Sequence, residues 1–175
     1  PDMIDAGINS FKVEGRMKTA LYVAVVTRTY REAIDDYYTS KELYESKMEH
    51  YREEIAACTF RQFTTGFYYG KPNEETQIYD CNTYVKNRVY LGTVEEVTEA
   101  GELVIHQKNK FCVGDIIEVM AFDGENVDVE VLAIHDEHGT EMESAPHPKQ
   151  LLYVKVSNSE KIRKGMIIRT RHCAA

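Results

Sequence analysis

Ile116-Ile117-Glu118-Val119-Met120, then Asp123-Gly124, then Val127-Asp128-Val129-Glu130-Val131-Leu132: the reading of this stretch decides the fold of the second half of the chain. From Val127 the residues alternate apolar and acidic, apart from the closing Leu132. That is the period of a strand with one face in a core and the other in water. Asp-Gly between two such runs is a hairpin signal, because glycine takes the positive φ that tight reversing turns need. Working outward, the same pattern recurs. Val85 to Val97 alternates weakly, and Glu99-Ala100-Gly101 turns it into Leu103 to Gln107. Two further strands are expected over Leu151 to Val156 and Met166 to Thr170, while His135 to Lys149, rich in Gly, Pro and charge, reads as a polar loop. Short strands joined by tight turns over residues 83–175 predict a small closed antiparallel barrel of six strands.

The first half has a different period. Ser10-Phe11-Lys12-Val13 alternates in polarity and reads as the end of a half-buried strand, followed by Glu14-Gly15-Arg16-Met17-Lys18. Gly15 is expected to take a positive φ where the strand turns into a helix. This places Glu14, Arg16 and Lys18 at the C-terminal mouth of a strand, where α/β folds hold ligands and catalytic groups. The same spacing also suits a structural ion pair between Glu14 and Arg16. From Met17 to about Tyr38, the residues Tyr22, Val23, Val26, Tyr30, Ala33, Ile34 and Tyr37 recur at three- and four-residue steps, one stripe of an amphipathic helix. Thr39 and Glu42 form a capping box for a second helix running to about Ala57. Its buried side is expected to carry Leu43, Tyr44, Met48, Tyr51 and Ile55.

Residues 59–82 form a linker with the turn signals Gly66, Gly70, Pro72 and Asn73, yet dense in aromatics: Phe60, Phe63, Phe67, Tyr68, Tyr69 and Tyr79. Rings of this size bury large areas, so docking between the two domains is the expected use, with base stacking as the alternative. The domain reading is therefore 1–58, the linker 59–82, and the barrel 83–175.

Composition narrows the function. Hydrophobic residues make up 43% of the 175, enough for a globular core, and no apolar run is long enough to span a bilayer. Pro1-Asp2-Met3-Ile4-Asp5 lacks the basic and apolar regions of a secretory leader. Cys58, Cys81, Cys112 and Cys173 form no C-x-x-C pair, so they read as reduced thiols of a cytoplasmic protein, with no zinc ladder. His135 and His138 beside Asp136, Glu137, Glu141 and Glu143 read as a solvated acidic loop, so no metal site is assigned.

A net charge of −8 argues against indiscriminate nucleic-acid binding, but it is unevenly spread. From Cys81 to Glu143 four basic residues stand against fourteen acidic ones. From Ser144 onward seven basic residues stand against one acidic, among them Lys161, Arg163, Lys164, Arg169 and Arg171. If these five share one rim of the barrel they form a phosphate-binding patch. No G-x-S-x-G or other nucleophile–base pattern is present, so no complete peptidase site is expected in this chain alone.

The run from Gly7 to Asp35, with Lys12-Val13-Glu14-Gly15-Arg16, Tyr22-Val23 and Tyr30-Arg31-Glu32-Ala33-Ile34-Asp35, resembles the segment that closes the N-terminal barrel domain of the collagenase-like peptidases, family U32. Phe63-Thr64-Thr65-Gly66-Phe67-Tyr68-Tyr69-Gly70 resembles that family's TTGF-aromatic signature. The resemblance implies an α+β chain: the last strand and helices of a TIM-like barrel, then a small six-stranded barrel. It also implies that this chain is the C-terminal part of a longer protein, because the cysteine-bearing signature of the family's mid-barrel is absent. The resemblance implies two alternative parents. One is a protease, with this barrel as an accessory domain binding a protein substrate or RNA. The other takes part in prephenate-dependent hydroxylation of a transfer- or ribosomal-RNA base. Glu14 is then an acid/base or orienting group and Arg16 an anion clamp, with Lys18 beside them. Relatives of the family carry an iron–sulfur cluster on upstream barrel cysteines, and none of the four cysteines here matches those positions. The Phe111–Val119 and Ile162–Ile168 runs also resemble turns of the second domain of elongation factor Tu.

Overall fold

The computed structural model describes residues 1–58, 65–71 and 88–171. The chain divides into two compact units, Pro1–Asn87 and Arg88–Ala175. The expected barrel start at 83 and most of the expected linker 59–82 lie outside the described residues.

The first unit is helical. Its elements are α1 (Asp2–Asp5), α2 (Ala20–Thr39), α3 (Lys41–Ser46) and α4 (Met48–Ala56). Helix α2 begins at Ala20 and not at Met17, because Thr19 is its N-cap and the Thr19 hydroxyl accepts the Tyr22 N–H at 3.2 Å. The second cap also sits one residue later than expected. Ser40, in extended geometry, accepts the Leu43 N–H at 3.0 Å, whereas the Thr39 hydroxyl donates back to the Asp35 carbonyl at 2.9 Å. The single second helix expected to Ala57 is two helices, broken at Lys47 with φ −99 and ψ 5. The Lys47 ammonium is anchored to α2, 2.8 Å from Asp36 and 3.3 Å from Glu32.

The buried arc of α2 differs from the expected stripe. Leu21, Val25, Val26, Thr29 and Tyr37 are buried, while Val23 and Tyr30 are 44% and 47% exposed. Both arcs carry apolar residues at helical spacing, so periodicity alone does not choose between them. Ser10–Val13 is not a strand, for no strand occurs in the described residues of this unit to supply a ladder. Gly15 does not take a positive φ either. Its need is proximity: a Cβ there would lie 3.0 Å from the Val23 side chain on the first turn of α2.

The second unit is the expected barrel. Strands β1 (Tyr90–Val97), β2 (Leu103–Gln107), β3 (Ile116–Met120), β4 (Val127–His135), β6 (Leu151–Val156) and β7 (Ile167–Thr170) pair antiparallel in the order β3-β7-β1-β2-β6-β4, and β3 pairs with β4 to close the ring. Closure leaves no free edge among the six. The residues that alternate inward, among them Leu91, Val94, Leu103, Ile105, Ile117, Val119, Val129, Val131, Leu152, Val154 and Ile168, form one core. Hairpin β3–β4 turns at Asp123-Gly124, as its sequence dictates. The segment read as a polar loop, His135–Lys149, contains a short β5 (Glu141–Met142) paired with β4, and buries Ala145, whose N–H donates to the Phe111 carbonyl at 2.9 Å. Gly92 on β1 is required by packing, since a Cβ would stand 2.7 Å from Ile105 Cγ2 and 2.8 Å from the His106 carbonyl oxygen.

Candidate functional site

The Glu14–Lys18 loop enters α2 through a turn in which the Lys18 N–H donates to the Gly15 carbonyl at 3.0 Å. Glu14 Oε1 accepts the backbone N–H of Arg16 at 2.8 Å. Glu14 is therefore tied to the Arg16 main chain, and the structural Glu14–Arg16 ion pair does not form. The Arg16 guanidinium has no ion-pair partner among the described residues. Lys18 Nζ lies 5.3 Å from the centroid of the Tyr22 ring, a cation–π contact. All three side chains are exposed and project from one loop.

The five basic residues of the barrel do not share one rim. Lys161, Arg163 and Lys164 are exposed in the β6–β7 turn, before β7. Arg169 and Arg171 lie at the other end of that strand. Arg169 has no exposed surface: Arg169 Nε is bonded to Glu118 Oε2, the carboxylate opposite it on β3. Arg88 Nη1 reaches the other Glu118 oxygen at 3.4 Å, and Asn126 donates to Glu118 at 3.1 Å. Arg171 pairs with Asp128 at 3.0 Å. Sequence spacing grouped these five, but the strand between them separates the groups, and the carboxylates that claim Arg169 and Arg171 come from β3 and β4. The Lys161–Lys164 turn is the exposed part of the expected patch, although Arg163 Nη1 donates to the Glu160 and Ile162 carbonyls at 2.5 and 2.8 Å, and it borders a cleft also lined by Glu95, Glu96, Glu99 and Glu160.

Of the aromatic linker, Phe60, Phe63 and Tyr79 lie outside the described residues. Phe67, Tyr68 and Tyr69 are 78%, 49% and 75% exposed. Tyr68 and Tyr69 border a cavity of about 310 Å³ within the first unit, with Phe11, Tyr30, Tyr37 and Tyr44. The Tyr69 hydroxyl donates to Asp2 at 3.3 Å.

Cys58 is buried in the first unit with its thiol directed at the Ile55 carbonyl, Cys112 is in the barrel, and Cys81 and Cys173 lie outside the described residues. Among the described residues no three His, Cys, Asp or Glu side chains converge. In the His135–Glu143 segment Asp136 instead shapes a turn, accepting the Thr140 and His138 N–H groups at 2.8 and 2.9 Å. The Thr140 bond first, then the His138 bond, hold its carboxyl below the usual range. No helix of the described residues is long and apolar enough to cross a membrane.

The peptidase family U32 matches residues 1–78 and the peptidase family U32 C-terminal domain matches residues 86–169, so the chain belongs to family U32. It is 35% identical over 170 residues to tRNA hydroxylation protein P1 of Bacillus subtilis, covering 94% of this chain and 40% of that protein. It is 36% identical over 113 residues to a collagenase of Porphyromonas gingivalis, covering 59% of this chain and 31% of that protein. The C-terminal domain of a Geobacillus thermoleovorans protein assigned to the U32 peptidases is similar to 47% of this chain and 99% of its own length, with 29% identity and a TM-score of 0.43. The chain thus spans about two-fifths of the length of its Bacillus relative.

Proposed function

We propose that this chain is the C-terminal portion of a tRNA-hydroxylating member of family U32, with Glu14, Arg16 and Lys18 at the mouth of the reaction site and the barrel as the RNA-holding domain. The observation that carries this reading is the extent of similarity. The tRNA hydroxylation relative matches 94% of the chain, through both units, whereas the collagenase match covers 59%. The chemistry agrees. An exposed guanidinium without a carboxylate partner among the described residues suits a two-point contact to a carboxylate or phosphate, and Lys18 follows it two residues on in the same loop. Glu14 keeps one carboxylate oxygen clear of the bond to Arg16 and can orient a substrate hydroxyl or carry a proton. The exposed Lys161, Arg163 and Lys164 supply phosphate contacts, which position an RNA without reading its sequence. An iron–sulfur cluster in the parent would sit on upstream barrel cysteines, and prephenate enters as the parent's hydroxylation co-substrate.

The test is deletion of the parental gene followed by nucleoside mass spectrometry of total tRNA. Loss of a hydroxylated nucleoside, restored by the intact gene and not by one carrying Arg16→Ala, is the expected result. An unchanged nucleoside profile, together with cleavage of gelatin by the purified parent, would instead establish the peptidase reading.

A further inference from the structure

The outer face of β1, β2 and β6 carries an open groove of about 620 Å³. Strand register sets its floor. Val104 on β2 stands opposite Glu96 on β1 and Tyr153 on β6, and His106 stands opposite Thr93 and Leu151. Because Leu103, Ile105, Leu152 and Val154 belong to the core, the pleat turns Val104, His106, Leu151 and Tyr153 outward. Tyr153 and His106 are half-buried, and neither side chain has a hydrogen-bond or ion-pair partner among the described residues. Glu95 and Glu96 enter from β1, where the ladder with β2 skips a residue after Val94 and leaves two consecutive carboxylates exposed. Lys164 reaches in from the β6–β7 turn. A second lobe shares Glu95, Glu96 and Lys164 and continues to Arg163 and Glu160.

We infer that this groove holds one unstacked nucleotide of single-stranded RNA, an inference that rests on the RNA-holding role proposed above. Each part of a nucleotide meets a matching group. The tyrosine ring offers a stacking surface for the base, the usual way proteins hold unpaired RNA bases. Carboxylates accept from ring N–H and amino groups on a Watson–Crick edge, and guanine presents two such donors side by side. Lys164 and Arg163 at the rim meet the flanking phosphate. The carboxylates decide between forms of RNA. A duplex hides its base edges and presents phosphates, which Glu95 and Glu96 repel, whereas an unpaired base meets them as acceptors. A basic peptide is the competing occupant.

The experiment measures fluorescence anisotropy of the 175-residue chain with a labelled uridine hexamer carrying one central guanosine, at low salt. The controls are the same strand annealed to its complement, the adenosine version, and a lysine-rich peptide. Expected are tighter binding of the single strand than of the duplex, a preference for guanosine over adenosine, and no displacement by the peptide at equal concentration. Tyr153→Leu keeps the bulk and loses the ring, and should weaken binding about tenfold or more, while Tyr153→Phe retains it. Circular dichroism checks that both variants keep the barrel. If Tyr153→Leu binds like the parent chain while the Arg163→Glu, Lys164→Glu pair does not bind, the nucleotide site is wrong and the RNA-holding turn stands. If the chain binds no RNA, or the peptide displaces it, both readings fall.

Discussion

At the scale of single residues, Arg16 and Asp36 show opposite uses of charge. Arg16 is exposed, and among the described residues it is tied only through its backbone N–H to Glu14. Its side chain therefore contributes little to the fold. Arg16→Lys keeps the charge and loses the two-pronged guanidinium. We expect the hydroxylation proposed for the parent to fall by at least about tenfold, the worth of one charge-assisted contact, with an unchanged thermal midpoint. A sharp drop in midpoint with full activity in the remaining folded protein would make Arg16 structural. Asp36 is committed to the fold. Burial alone would raise its carboxyl, but the Lys47 ammonium at 2.8 Å and the Tyr51 hydroxyl at 2.5 Å together hold it below its ordinary value of 3.8. A depressed carboxyl adds stability above its unfolded pKa, and that stability is lost as pH falls through the lower folded value. Helical signal of the first unit should therefore weaken on acidification below about pH 4, and Asp36→Asn should be less stable at neutral pH and flatter through that range. A titration by circular dichroism with equal slopes for both proteins would remove Asp36 from the account.

At the scale of elements, the β3–β7 pair is held on its outer face by a charge cluster. Glu118 is 8% exposed and Arg169 fully buried, with Arg88 and Asn126 completing the bonds to Glu118. Burying such ions gains little net stability, but removing one partner is costly because the other stays desolvated. Glu118→Ala should destabilise the barrel by about 3 kcal/mol or more, read as a lower urea midpoint. The double variant Glu118→Leu, Arg169→Met should recover much of that loss. A Glu118→Ala barrel as stable as the parent would show that other contacts of Arg169 satisfy its charge. Of this cluster only Arg169 reads as an RNA-contact candidate on sequence alone, since a run of cations carries no sign of the carboxylate brought to it from a strand about fifty positions away.

For the whole molecule, the two units differ in how self-sufficient they are. The barrel closes its six strands around one core, although Val113, Ile116, Phe122, Leu132 and Leu151 are exposed on its outside. Residues 88–175 expressed alone should give a cooperative, reversible β-type melt, and a non-cooperative melt would mean that the unit depends on residues before 88. In the first unit Met17, Val23, Tyr30 and Tyr69 are exposed, and the chain covers only 40% of the length of its Bacillus relative.

Much of this architecture was legible from local pattern. The strands Leu103–Gln107, Ile116–Met120 and Leu151–Val156 fall where alternation places them, because a barrel strand has one wet and one dry face and its period is written into adjacent residues. The family motifs were equally local. What the chain order could not carry was every feature that depends on a neighbour distant in sequence. Ser10–Val13 alternates like a strand, yet strandhood requires a ladder partner, and the described residues of its unit provide none. The apolar residues of α2 permit two buried arcs, and only tertiary packing decides which one is buried. The groove around Tyr153 had no signal at all before folding, since His106, Tyr153 and Lys164 meet only through strand register and barrel closure. By itself the sequence determined the six barrel strands and the helical character of the first unit. Tertiary structure alone decided which charges face water and which face each other, because electrostatic partnership depends on distance in space and not on distance along the chain.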